Sequence, residues 1–170
     1  MKALFYSLII VTFFACSDTP KEFPVVDMNK IQADLLEANK RAITKESEQI
    51  DAYVASKNYE VIKTQTGLRY VIYHNNEGEN IKPKQTAVVK YKVNLLDGTE
   101  CYATGNEVET FIVNKDEVET GLHEGIQLMS KGDKAIMILP SHLAHGLAGD
   151  LKKIPYKSSI VYDVELVEIK

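Results

Sequence analysis

The chain has no tryptophan, and beyond residue 23 it has a single phenylalanine, Phe111. Phe5, Phe13, Phe14 and Phe23 are crowded at the amino terminus, so a folded body must build its core from Val, Ile, Leu and Tyr. Two cysteines exclude a disulfide-dense scaffold, and nine glycines and five prolines exclude collagen-like and low-complexity classes. Charge of one sign is not in excess either. Twenty basic against 24 acidic side chains, net −4, argue against a phosphate-binding surface and against nucleic acid as a partner. What is present, 170 residues with 45% apolar and 26% charged side chains, suits one soluble domain plus an appendage.

Met1-Lys2 precedes an apolar run from Ala3 to Ala15, broken by Ser7 and Thr12 and followed by Cys16-Ser17-Asp18-Thr19-Pro20. One positive charge and a run shorter than the roughly 20 residues that span a bilayer form a signal-peptide pattern. A small residue directly before a Cys at the end of such a run resembles the lipobox of bacterial lipoproteins, with Cys16 as the acylated first residue of the mature chain and Phe13 where Leu is most common. Conventional cleavage lacks a clear small-x-small site. Either route exports the protein and anchors or releases it outside the cytoplasm. Residues 1–15 hold one Lys and no acid, so 19 basic and 24 acidic groups remain, about −5 in all. Cys101 is then the one remaining thiol, and its neighbours Glu100 and Tyr102 do not offer the electropositive setting of a nucleophile.

Residues 16–27, with Pro20 and Pro24, form a tether. Asp27 or Asn29 is placed to cap a helix bearing Ile31, Leu35, Ala38 and Ala42. Thr44 starts a second helical stretch in which Ile50, Tyr53 and Val54 make an apolar stripe while Lys45, Glu46, Glu48 and Asp51 face water. Residues 28–64 are thus a helical stem, either a solvent-exposed spacer or an arm for homodimerisation or client binding through residues 28–57. From residue 65 to 170 the period becomes two. Strands are expected at Leu68–Tyr73, Ala87–Leu95, Thr110–Val113, Asp133–Leu139 and Ser159–Ile169, with turn chemistry at Asn75–Gly78 and a hairpin signal at Asp97-Gly98. One brief helix is expected around Leu122–Met129, ending at Lys131-Gly132. The fold class is α+β, a curved antiparallel β-sheet wrapped around one short helix and preceded by the helical stem.

Several segments, in order, resemble the FKBP-type peptidyl-prolyl isomerases: Val88-Val89-Lys90-Tyr91, Leu96-Asp97-Gly98-Thr99, Val118 to Lys134, Leu139-Pro140, Leu143-Ala144-His145-Gly146, Ile154-Pro155 and Val161 to Leu166. The resemblance covers about residues 65–170. It implies a half-wrapped sheet around a short helix, with a shallow apolar pocket that holds a prolyl side chain. It also implies X-Pro polypeptide clients and no cofactor or metal. A helix ahead of the domain is similar to exported bacterial members, some lipoproteins of gliding bacteria among them.

The chemistry explains why no triad is needed. Rotation about a peptide bond is opposed by about 18–20 kcal/mol of amide resonance, and X-Pro bonds populate both isomers with slow exchange. A dry cup that grips the pyrrolidine ring favours the twisted amide, while one or two hydrogen bonds hold the flanking backbone. The resemblance puts Tyr91, Val118, Ile154 and Tyr162 in the pocket, with Phe111 as its neighbour. Where the family has other residues, this chain has Cys101 and Glu109 for Phe, Tyr102 for Asp, Glu119 for Ile, Leu122 for Trp at the floor, and His145 for Tyr at the substrate carbonyl. The catalytic candidates are therefore Tyr91, Tyr102, Glu119, Leu122, His145, Ile154 and Tyr162, with Cys101, Phe111 and Val118 as substrate contacts. Fewer aromatic walls imply weak activity.

Competing constellations are weaker. His142, His145 and Asp150 have no accompanying ligand cluster. Asp116, Glu117, Glu119 and Glu124 flank a turn and a helix start, where acids complement the dipole. Two function classes remain, an isomerase assisting the folding of exported proteins and a catalytically silent binding or chaperone module at a membrane.

Overall fold

A computed structural model describes residues 27–170. The signal run, Cys16 and the tether up to residue 26 lie outside the described residues. The chain runs α1 (Met28–Lys57), β1 (Ile62–Lys63), β2 (Arg69–His74), β3 (Thr86–Leu95), β4 (Glu100–Ala103), β5 (Glu109–Ile112), α2 (Thr120–Ile126), β6 (Lys134–Leu139), a 3-10 turn (Ser141–Leu143) and β7 (Ile160–Ile169). The strands form one antiparallel sheet in the order β1-β2-β6-β7-β3-β4, with β5 also on β3.

Alternation sorts the side chains. Val89 and Val93 of β3, Met137 and Leu139 of β6, and Ile160, Tyr162, Val164 and Leu166 of β7 enter the main core beneath α2. Ile136, Ile138 and Val161 point the other way and pack with Ile50 of α1, flanked by Tyr53 and Val54. β6 is therefore buried on both faces, which accounts for its near-continuous apolar run Ala135–Leu139. The expected strands all form, within one or two residues of their expected ends. The Asp97-Gly98 signal closes the β3–β4 hairpin, with the Thr99 amide donating to Asp97 Oδ1 at 2.8 Å and Gly98 at φ +92°. α2 covers Thr120–Ile126, earlier than the expected Leu122–Met129, because the chain leaves the helix in single turn bonds from Leu128 N and Met129 N.

The stem differs from the expectation. It is one 30-residue helix, not two. Asp27 caps it, accepting from the amides of Asn29 and Lys30 at 3.0 and 3.2 Å, and Asn58 closes it in the left-handed region at φ 54°. Thr44 does not start a new helix, since its hydroxyl donates back to the Lys40 carbonyl at 3.0 Å and no Gly or Pro interrupts the run. Asp51 stays largely exposed as expected, but Glu46 is turned from water toward the domain. Glu46 accepts from Ser141 and Ser159, and Asp51 accepts from the buried Arg69. The C-terminal part of α1, from Glu46 on, is thereby docked on the sheet, while Met28, Ile31, Leu35, Leu36 and Ile43 ahead of it stay exposed.

Candidate active site: an apolar cleft with a polar collar

A cleft of about 700 Å³ opens between the concave face of the sheet, α2 and the loop after β6. Its floor is built where α2 approaches the sheet. Gly121 permits that approach, since a Cβ there would lie 2.6 Å from Leu139 Cγ and 3.0 Å from the Leu143 carbonyl oxygen. Leu122, one residue on, is then carried into the cleft with 3% exposure. Tyr91 of β3 and Tyr162 of β7 meet edge to face, ring centroids 5.5 Å apart at 65°, and form one wall. Phe111 and Val118 form another.

Polar groups ring this cup in pairs. The Tyr91 hydroxyl donates to Glu109 Oε2 at 2.9 Å, His145 Nε2 stands 2.9 Å from Glu119 Oε1, and the Tyr102 hydroxyl donates to Asp150. Three of the four carboxylates that line the cleft, Glu109, Glu119 and Asp150, are thus engaged by an aromatic donor, which offsets part of the penalty of lost hydration, and the fourth, Glu117, is exposed. Burial, then the bond to Glu109, raises the Tyr91 hydroxyl above the usual tyrosine range. Burial, then the nearby Glu119 charge, does the same to Tyr162. Both phenols stay neutral donors throughout the physiological range.

Asp150 moves the other way. Desolvation alone would raise its carboxyl, but the Tyr102 hydroxyl and the amides of Lys152 and Ile154, at 2.9 and 2.8 Å, outweigh it and hold the group at about 2. A depressed folded value contributes stability above the unfolded carboxylate value near 3.9 and loses it as pH falls through about 2. The Tyr102–Asp150 clasp should therefore persist through neutral and mildly acidic pH and open in strong acid. Tyr102→Phe, which removes one of the three donors, should move that opening to higher pH, as followed by NMR of the Lys152 and Ile154 amides. An unchanged midpoint would deny Tyr102 its part in holding Asp150.

The cleft gathers Tyr91, Tyr102, Phe111, Val118, Glu119, Leu122, His145 and Tyr162 from the sequence-derived candidates. Cys101 and Ile154 are not in its lining. Both belong to the main core, at 1% and 3% exposure. The Cys101 Sγ lies against the carbonyls of Thr99 and Lys153, and burial followed by the Asp150 charge pushes its thiol up, away from nucleophilic use. His142 turns out of the cleft to the Thr66 carbonyl at 2.9 Å, so it does not converge with His145. The sequence reading missed Asp150 and Lys152 as lining residues and missed the grip of Tyr91 on Glu109. Tyr102 and Asp150 are 48 positions apart, and no local spacing signals their contact.

The concave face of a half-wrapped antiparallel sheet and one short helix thus enclose an aromatic and aliphatic cup with a polar collar at its rim. Residues 77–167 match the model of the FKBP-type peptidyl-prolyl cis-trans isomerases, more than half of the chain, and the protein belongs to that family. It is similar to the FKBP-type peptidyl-prolyl cis-trans isomerase FkpA of Escherichia coli (strain K12), 36% identical over 115 residues, covering 68% of this chain and 42% of that protein. FkpA of Buchnera aphidicola (subsp. Schizaphis graminum) is 35% identical over 111 residues, 65% of this chain and 44% of that one. The chain spans less than half the length of these relatives. The crystal structure of Escherichia coli FkpA matches with a TM-score of 0.66 at 31% identity, over 86% of this chain and 74% of that one. The N-terminal domain of FKBP42 from Arabidopsis thaliana shares the fold, with a TM-score of 0.62 at 19% identity over 66% of this chain and 93% of that one.

Proposed function

We propose that the protein is a peptidyl-prolyl cis-trans isomerase that assists the folding of exported polypeptides at X-Pro bonds. The observation that carries this reading is the cup of Leu122, Phe111, Tyr91 and Tyr162, which offers a rigid apolar seat to a pyrrolidine ring. A twisted X-Pro amide has lost conjugation and is less polar than the planar ground state at its carbonyl, so the cup favours it. The Glu119 backbone N–H is the donor for a flanking carbonyl, and His145, whose Nε2 is engaged by Glu119 Oε1, borders the same side of the cup. Leu147 and Leu151, 76% and 88% exposed on the loop over the cleft, add apolar surface for an unfolded client.

Export and anchoring belong to the same proposal. The apolar run followed by Cys16 supports lipid attachment at a bacterial membrane, and the exposed Met28, Ile31, Leu35 and Leu36 on the free half of α1 support homodimerisation. Domain limits of 16–27 for the tether, 28–64 for the stem and 65–170 for the isomerase domain complete the picture.

The test is X-Pro exchange in a short peptide, measured by NMR with the full chain in mild detergent. Catalysed exchange is the expected result, and exchange no faster than that of the peptide alone overturns the isomerase reading. Intact mass and sedimentation of the same preparation check the anchor and the dimer. An unacylated Cys16 or a monomer overturns the corresponding part.

A further inference from the structure

The loop over the cleft runs from Ser141 to Ser159, and both of its ends rest on one carboxylate of the stem. The Ser141 amide and the Ser159 hydroxyl donate to Glu46 Oε1 at 2.6 and 2.7 Å, and the Ser141 hydroxyl donates to Oε2 at 3.1 Å. Ser141 and Ser159 are 9% and 6% exposed, so these are bonds to a charged acceptor largely shielded from water. They span 95 and 113 positions of sequence. Between the two ends lie the lining residues Ala144, His145, Asp150 and Lys152.

The connection continues to the rim. The Ser141 carbonyl accepts from the amides of Ala144 and Gly146, at 3.1 and 2.7 Å, and these residues bracket His145. Gly146 in turn accepts from the Lys157 amide at 3.1 Å, which ties the middle of the loop to its far end. A shift at Ser141 therefore reaches the backbone on both sides of His145 through direct hydrogen bonds, and His145 carries it to Glu119. Among the described residues, none that lines the cleft hydrogen-bonds to Glu46.

We infer that Glu46 is a positioning residue for the cleft: by pinning both ends of the loop, it holds His145 and Asp150 over the bound proline and couples the stem to the site. The inference rests on the isomerase reading above. Glu46 is in the same uninterrupted helix as the exposed residues 28–43, so whatever seats on that half of α1 acts on the loop through a rigid lever.

Removing the carboxylate leaves Ser141 N–H and two hydroxyls buried without their acceptor, and the loop must move to hydrate them. In the full chain, Glu46→Ala should weaken binding of an X-Pro peptide about tenfold, the order expected for losing bonds to a charged group. It should leave the exchange rate at saturating peptide within about twofold, because the cup itself is untouched. NMR amide shifts at Ala144, His145 and Gly146 should accompany the loss. Glu46→Gln, which keeps an oxygen for Ser141 N–H and Ser159 Oγ, should recover affinity to within about threefold. Ser159→Ala should lose about threefold alone and nothing further on top of Glu46→Ala, since both act through one contact.

A folded Glu46→Ala protein with wild-type affinity overturns the inference, as does a Ser159→Ala effect that adds fully to it. If Glu46→Ala fails to fold, Ser159→Ala decides: unchanged affinity and unchanged loop amides overturn the proposal. A wild-type chain that neither binds nor turns over the peptide removes the isomerase reading and this inference with it, a result distinct from an active wild type indifferent to Glu46.

Discussion

Tyr162→Ala should lower kcat/KM for X-Pro exchange by about a hundredfold, or about 2.7 kcal/mol of transition-state binding. The ring is 4% exposed, stands edge-on to Tyr91 and faces the cleft above Leu122, so its loss opens the side of the cup that grips proline. Truncating a buried aromatic also costs about 3–5 kcal/mol of stability, and a loss of activity in this variant alone would be ambiguous. Tyr162→Phe separates the two causes. It keeps the ring and its contact with Tyr91 but removes the hydroxyl beside Glu119. If the ring does the work, Tyr162→Phe should stay within about threefold of wild type. A Phe variant as inactive as the Ala variant would move the function from the apolar ring to the hydroxyl, and the desolvated-cup account would fall. Both are to be measured well below the unfolding temperature of the Ala variant, with near-ultraviolet circular dichroism as the control for folding. Ile154 gives no equally clean test, because its side chain lies in the core outside the lining and its truncation acts through packing.

The parts of the fold that were legible in advance share a physical property: their signal is local. Alternation in Thr86–Leu95 and Ile160–Ile169 sets which face is buried, and a two-residue turn such as Asp97-Gly98 sets a hairpin within a few positions. β1 escaped because two exposed residues carry no periodicity, and β4 was signalled only through the Asp97-Gly98 hairpin that precedes it. Charge misled in the stem. Glu46 and Asp51 on a helix suggest a solvated face, which Asp51 keeps and Glu46 does not, and the partners of both, Ser141, Ser159 and Arg69, arrive from distant strands and turns. The site divides along the same line. Tyr91, Leu122 and Tyr162 follow from motifs that a family resemblance places residue by residue. The collar depends on pairs such as Tyr102 with Asp150 and His145 with Glu119, which only the closed sheet brings together. Replacing aromatic walls with acids looked like a simple loss of grip. The structure answers part of that loss with bonds, since Glu109 folds back onto Tyr91 and so reaches the rim as a partnered group.

Deleting Asp51 should destabilise the protein more than deleting the arginine it serves. Arg69 is 2% exposed, and its guanidinium donates to Asp51 Oδ1 at 3.1 Å from Nε and 2.7 Å from Nη2, to the Gly67 carbonyl at 2.7 Å and to Ser47 Oγ at 2.7 Å. The Asp51 side chain is 58% exposed. The pair is therefore asymmetric: one charge is enclosed by protein and the other borders water. Asp51→Ala leaves a guanidinium shut in without its counter-charge, which should cost about 2–4 kcal/mol. Arg69→Met fills most of the space with an apolar chain, and Asp51 takes up water in place of its lost partner. What remains is an orphaned Gly67 carbonyl, worth about 1–2 kcal/mol. The double variant should resemble Arg69→Met alone, because once the buried charge is gone the carboxylate has little left to stabilise. Urea denaturation at neutral pH decides the order from the midpoints, provided the slopes agree. The reverse order, with Arg69→Met the worse, would mean that the guanidinium acts mainly as a three-way tie between α1, the Gly67 turn and β2, with its charge of minor account. In either case the residues lining the cleft remain in place, so the affinity of the folded fraction for an X-Pro peptide should change less than it does on loss of Glu46, which is tied directly to the loop that carries His145.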